Sequence, residues 1–196
     1  TGASVIVDST KDVAWIRERG AELRRRGVAH KLVVLLRDGR AVLNSRLRKD
    51  PARDPAELVD AWLAQLRATE ALAAAHPEDV IELRYEALAT EPERQLRRLC
   101  DFLGLAFEPA MLRYERAVHH PLGGNTGTQS IVARHGAPTG TLARVPARSR
   151  RYYAPLEGGF RLDSRWCREL PAAAARVFEA RAGEANASLR WEGASP

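Results

Sequence analysis

The chain has 196 residues, 45% of them hydrophobic, a size at which one α/β domain with a substantial core is the expectation. No run of about 18 apolar residues is present to span a membrane, and the opening TGASVIVDST lacks the basic-then-apolar order of a signal peptide. A net charge of +6 favours an anionic partner, while an aromatic content of 6%, not interleaved with basic residues, argues against a platform for single-stranded nucleic acid.

Ser4 to Asp8 (SVIVD) predicts a short strand, and Asp12 to Arg26 a surface helix with apolar Val13, Ile16 and Leu23, ended by Gly27. The many arginines of that helix (Arg17, Arg19, Arg24, Arg25, Arg26) read first as a solvated face. Lys31 to Leu36 (KLVVLL) has the continuous apolar character of a strand covered on both sides, and a helix follows from Asp38-Gly39 to Lys49. KDPARDP is a loop; Ala56 to Ala75 is a long helix containing Trp62, closed by His76-Pro77. Val80 to Leu83 predicts a third strand and Tyr85 to Leu88 a turn. Glu93 to Leu103 predicts a helix with Gly104 as its C-cap signal. From His119 to about Arg161 periodicity fades, which points to a long active-site or acceptor loop or to disorder. A last helical stretch runs from about Ser164 to Ala182, interrupted by Pro171. Cys100 and Cys167 lack disulfide or metal spacing and read as buried apolar thiols. Thr1 leads at once into an apolar run, so a segment upstream is expected.

This alternation predicts a parallel sheet with helical crossovers, one domain over residues 1–196. In such sheets ligands bind beyond the carboxyl ends of the strands. Polar residues gather at all three predicted ends: Asp8-Ser9-Thr10-Lys11, Arg37-Asp38-Gly39-Arg40 and Arg84-Tyr85-Glu86. Arg37 leaves its strand where a helix begins, and Gly39 would let backbone approach an anion. Ser45 and Lys49 stand one turn apart on that helix and extend the same stripe. A structural salt bridge of Arg37 with Asp38 or Glu86 stays open as an alternative, as does a small packing role for Ser45.

These residues resemble a known family. KLVVLLRDGRAVLNSRLRK is similar to the 3′-phosphate-binding motif of sulfotransferases that use 3′-phosphoadenosine-5′-phosphosulfate (PAPS), in which an Arg at the strand end is followed by a Ser at the spacing of Arg37 and Ser45. VIVDSTK, LRYEAL, LRRLCDFLGLAFEPAML and HHPLGGN match further blocks in family order. The likeness covers about residues 4–130 with a looser echo near Asp163–Leu170, and is nearest the bacterial and tyrosylprotein types. It implies a P-loop NTPase-like α/β fold, incomplete at the N-terminus. It also implies that Arg37 and Ser45 hold the 3′-phosphate, Tyr85 contacts adenine, Lys49 adds charge, and Gly123, Gly124 and Asn125 help close the site. The nucleotides implied are PAPS and its product, adenosine 3′,5′-bisphosphate; no metal is implied.

Sulfuryl transfer passes through a loose, in-line transition state in which preorganised cations do most of the stabilising, as in phosphoryl transfer. Lys11 is the candidate catalytic cation, with a solvated helix-start lysine as its alternative. Cytosolic-type relatives carry a His two residues after the equivalent Lys; here Val13 stands there, so either the general base lies upstream, as in tyrosylprotein-type relatives, or the chemistry is lost. His119 and His120 are weaker substitutes. No Gly-rich strand–helix turn matches the family's 5′-phosphosulfate loop, so the chain by itself is expected to bind nucleotide weakly. The acceptor carries a hydroxyl or amine, on a small molecule, a carbohydrate or a protein tyrosine; a cytoplasmic location fits the Ala/Arg-rich composition and the bacterial type, and the secretory pathway, where tyrosylprotein-type members work, stays open. Nucleic acid is not the expected partner. Two other readings stay open. A nucleotide kinase would need Mg²⁺ and ATP, against the missing G-x-x-x-x-G-K-[ST] motif. A non-catalytic basic binding domain would show steep salt dependence.

Overall fold

Among the described residues, regular structure begins at Val13, after the first apolar run. The computed structural model describes residues 5–117, 131–132, 152–153 and 158–193. Val5, Ile6 and Val7 belong to no strand there and are 57, 89 and 86% exposed, which corrects the strand expected over Ser4–Asp8. β-branched residues favour a pleated surface only where a neighbour takes their backbone groups and a core takes their side chains; among the described residues neither is supplied. Helix α1, Val13–Arg25, starts where the Asp12 carboxylate accepts the Trp15 N–H at 2.9 Å. It ends at Gly27, whose φ of 67° suits a residue without Cβ.

Packing divides the chain into two units, Thr1–Glu86 with Asp163–Pro196, and Ala87–Leu162. The first unit holds a two-stranded parallel sheet, β1 (Leu32–Leu36) and β2 (Val80–Arg84), paired in register from Leu32 opposite Val80 to Leu36 opposite Arg84. Between them run α2, Gly39–Lys49, and α3, Pro55–Ala74. Asp54 caps α3, its carboxylate accepting the Ala56 N–H at 3.0 Å, and Pro55 fits the first turn because its missing donor would have had no partner. Val34 is buried, but Val33 and Leu35, pointing to the opposite face, are 42 and 55% exposed. The expectation that β1 is covered on both sides is therefore corrected: its continuous apolar run reflects β propensity as much as burial.

The core of this unit forms where α3 meets α2 and a later helix, α7. That helix, Ala172–Ala182, follows the short α6, Trp166–Glu169, across Pro171, and a 3₁₀ turn at Ala187–Leu189 comes after it. Phe178 and Val59 are fully buried, and Phe178 packs on Trp62 with ring centroids 5.4 Å apart and planes tilted by 50°. Removing a side chain such as Phe178 from water stabilises the fold by about 1.5–3 kcal/mol. Cys167, on α6, is exposed, unlike the expected buried thiol, because a one-turn helix at the surface leaves it outside the core.

Helix α4, Tyr85–Thr90, replaces the expected turn and carries the chain from the first unit to the second. In the second unit, α5 (Pro92–Leu103) ends at Gly104, φ 67°, where the Leu105 N–H returns to the Cys100 carbonyl at 2.9 Å. Cys100 is buried there, as expected. The 3₁₀ segment Pro109–Arg116 follows, and its Glu115 is wholly buried. That carboxylate accepts from Arg113 Nε at 2.8 Å and from the Gly159 N–H at 3.1 Å. No helix among the described residues is long and apolar enough to cross a membrane.

Candidate functional site

Because β1 and β2 are parallel and in register, Arg37-Asp38 and Tyr85-Glu86 leave adjacent strand ends together. Asp38, with no exposed surface, is the hub of one network. Its carboxylate receives Arg40 Nη2 at 2.7 Å, the Arg40 N–H at 2.9 Å, Asn186 Nδ2 at 3.2 Å and the Trp191 N–H at 3.0 Å. Its own N–H donates to Glu86 Oε1 at 3.0 Å. Burial opposes ionisation of Asp38, but the hydrogen bonds from Arg40 and the Trp191 N–H, with the Arg40 charge, hold its pKa below the ordinary value. Arg40 in turn lies over the Trp166 ring, 4.4 Å from its centroid.

This network corrects one expectation about Gly39. Its N–H donates to Asn186 Oδ1 at 2.8 Å, so the protein's own amide oxygen and the Asp38 carboxylate occupy the start of α2, where an incoming anion had been expected. Glycine is needed for packing: a Cβ at this position would lie 2.5 Å from Phe178 Cζ and 2.7 Å from Trp62 Cζ2. Residues 188–189 close the end of β2 as well, because the Arg84 guanidinium donates to the Ser188 and Leu189 carbonyls.

Arg37 belongs to a second network that neither Asp38 nor Glu86 enters as a side-chain partner. Its guanidinium carbon sits 4.3 Å from the centroid of the Tyr85 ring, and Nη2 donates to the Asp163 carbonyl at 2.8 Å. The Asp163 N–H donates to Tyr85 Oη at 2.8 Å. The Asp163 carboxylate takes both arms of Arg165, Nε and Nη2, at 2.7 Å each, and lies 3.8 Å from Arg37 Nη2. Burial works against the charge on Asp163, yet Arg165 and Arg37 keep its pKa below the ordinary value. Burial likewise raises the pKa of the Tyr85 phenol, so the ring faces Arg37 as a neutral π system. Arg37 Nε is enclosed and has no hydrogen-bond partner among the described residues.

Ser45 and Lys49 are both exposed, one turn apart on α2, with the intervening Arg48 paired to Glu169 at 3.0 Å. Lys11 is exposed too; without a strand before it, it is a residue preceding α1, and its carbonyl receives Gln65 Nε2 at 3.5 Å. Asp8 accepts the Thr10 N–H at 2.8 Å. Gly123, Gly124, Asn125, His119 and His120 lie outside the described residues. The structure thus brings Arg37 and Tyr85 into contact, and adds Asp163, Arg165, Asn186 and Trp191, which the sequence reading did not place at the strand ends. For Asp163 and Arg165 the signal was the looser echo near Asp163–Leu170; Asn186 and Trp191 carried none.

Residues 29–109 match the model of the sulfotransferase family. Arg37, Ser45, Lys49 and Tyr85 fall inside that span; Lys11 and Asp163 do not. No curated protein sequence matches the chain. Among solved structures it is similar to a "Sulfotransferase Domain from the Curacin Biosynthetic Pathway", with a TM-score of 0.50 and 21% identity, over 87% of this chain and 58% of that one. The chain therefore spans a little over half the length of that domain, and the likeness shows the fold: a sulfotransferase-type, hence P-loop NTPase-like, α/β arrangement with a parallel sheet.

Proposed function

We propose, on the premise that residues 29–109 are a sulfotransferase-family segment within a sulfotransferase-like fold, that the chain carries the 3′-phosphate and adenine half of a PAPS site. The enzyme it serves would transfer a sulfuryl group to a hydroxyl or amine acceptor. The observation that carries this reading is the Arg37–Tyr85 pair: a guanidinium and an aromatic ring on adjacent parallel strand ends, 4.3 Å apart, with Arg37 Nε lacking an acceptor among the described residues. A fixed guanidinium with unfilled donor capacity fits a phosphate dianion. Ser45 and Lys49, exposed along α2, fit the same group with a hydroxyl and an ammonium.

In this reading Arg37, Ser45 and Lys49 bind and orient the 3′-phosphate, and Tyr85 meets the adenine. When bound, PAPS would supply an activated sulfuryl group to the acceptor hydroxyl or amine. Lys11 is proposed as the cation that meets the charge developing on the departing oxygen.

The test is calorimetric titration of the chain with adenosine 3′,5′-bisphosphate and with 5′-AMP, repeated on Arg37→Ala. The expected preference for the bisphosphate is at least about tenfold, equivalent to about 1.4 kcal/mol, and Arg37→Ala is expected to remove it. Equal affinity for the two ligands, or a preference that survives in the variant, would refute the assignment.

A further inference from the structure

Arg37 does not hold itself in place. Two of its surfaces are already committed: one face rests on Tyr85, and the Nη2 corner donates to the Asp163 carbonyl at 2.8 Å. A planar guanidinium fixed by one face and one corner can offer a ligand only its remaining edge, so whatever fixes that corner decides which edge is offered. Asp163 also fixes the ring beneath, through its N–H to Tyr85 Oη at 2.8 Å. One residue therefore sets both members of the pair, using both of its backbone polar groups.

The Asp163 side chain has a separate effect. Arg165 engages both carboxylate oxygens at 2.7 Å, which pins the backbone of Asp163 through a turn in its own segment. The Arg165 N–H, 3.3 Å from Oδ1, closes that turn. The paired carboxylate neutralises Arg165, while Arg37, 3.8 Å away, is fork-paired to no carboxylate among the described residues. Cutting the Asp163–Arg165 pair would let Arg165 compete for an anion and loosen the segment that aims Arg37. We propose that Asp163, clamped by Arg165, is a positioning residue that sets the Arg37–Tyr85 pair for recognition of a ribose 3′-phosphate. This inference rests on the nucleotide-site reading above.

The experiment compares the wild-type chain, Arg37→Ala, Asp163→Asn and Arg165→Lys by the ratio of their affinities for adenosine 3′,5′-bisphosphate and 5′-AMP. A merely structural role would weaken both ligands alike. The positioning role lowers the ratio about tenfold in Asp163→Asn and in Arg165→Lys while leaving 5′-AMP affinity near wild type. If the wild type discriminates and Arg37→Ala does not, but both other variants keep the wild-type ratio, the inference is overturned and the nucleotide site stands. If the wild type itself shows no preference, the nucleotide site falls and the inference with it. Should Asp163→Asn fail to fold by circular dichroism, Arg165→Lys decides, because it keeps the charge and loses only the fork.

Discussion

Replacing Gly39 with alanine tests whether the start of α2 is shaped by packing. The added carbon would sit 2.5 and 2.8 Å from Phe178 Cζ and Cε2 and 2.7 Å from Trp62 Cζ2. Carbon atoms rest at about 3.5–4.0 Å, so the overlap is about 1 Å at several atoms. Neither ring has a free end to swing away, since Phe178 is fully buried and Trp62 is 8% exposed. Overpacking of this kind costs about 1–3 kcal/mol, and at the middle of that range the melting temperature falls by about 4–8 °C for a chain of this size. Urea unfolding followed by tryptophan fluorescence, with a calorimetric melt, measures both. Gly20→Ala is the control. Its Cβ would meet only side-chain ends, His30 Nε2 at 3.1 Å and Arg24 Nη1 at 3.5 Å, inside a helix that alanine favours. It should therefore be as stable as wild type or more so. A Gly39→Ala chain within about 0.5 kcal/mol of wild type would refute the packing argument.

Asn186→Ala strips the buried Gly39 N–H of its acceptor and Asp38 of a donor, and is expected to cost about 1–3 kcal/mol in the same denaturation assay. A loss below about 0.5 kcal/mol would mean that water or a neighbour replaces the amide. The pKa of Asp38 is depressed in the folded chain, so its contribution is fully present above the ordinary carboxylate range, near pH 4, and disappears as pH falls through the folded value. Asp38→Asn should accordingly flatten the dependence of unfolding midpoint on pH in the acid range. An unchanged slope would show that Asp38 is not among the groups whose protonation drives acid unfolding.

The elements that could be read in advance were those whose signals are local. The β-branched run of β1, the Asp-Gly opening of α2, the Asp-Pro start of α3 and the Gly104 stop of α5 each carry their cause within a few residues. The run at Val5–Val7 has the same local signal as β1 and forms no strand, because pairing is decided by a neighbour elsewhere in the chain. Arg37 and Tyr85 were legible by position, at the ends of two predicted strands. Their holders were not: Asp163 lies 126 residues beyond Arg37 and 78 beyond Tyr85, and its use of backbone groups leaves no mark on residue type. Gly39 was read as a place for an anion because glycine at a helix start permits either a ligand or a ring to come close, and only the fold distinguishes them.

The closure of the β1–α2 turn also has a direction in time. Asn186 is made 147 residues after Gly39, and Trp191 153 residues after Asp38. At the usual pace of synthesis the turn waits roughly 7–30 s on the ribosome for the groups that cap it, with the Gly39 N–H facing water meanwhile. The Arg37–Tyr85 pair, complete only once Tyr85 is made, waits about half as long for Asp163, 78 residues on. Strand pairing and the packing of α2 on α3 use earlier residues, so in a nascent chain they can precede the closure of the strand-end turn. Premature termination before Asp163 would remove both clamps and, with them, α7 and the Phe178 that fills the core.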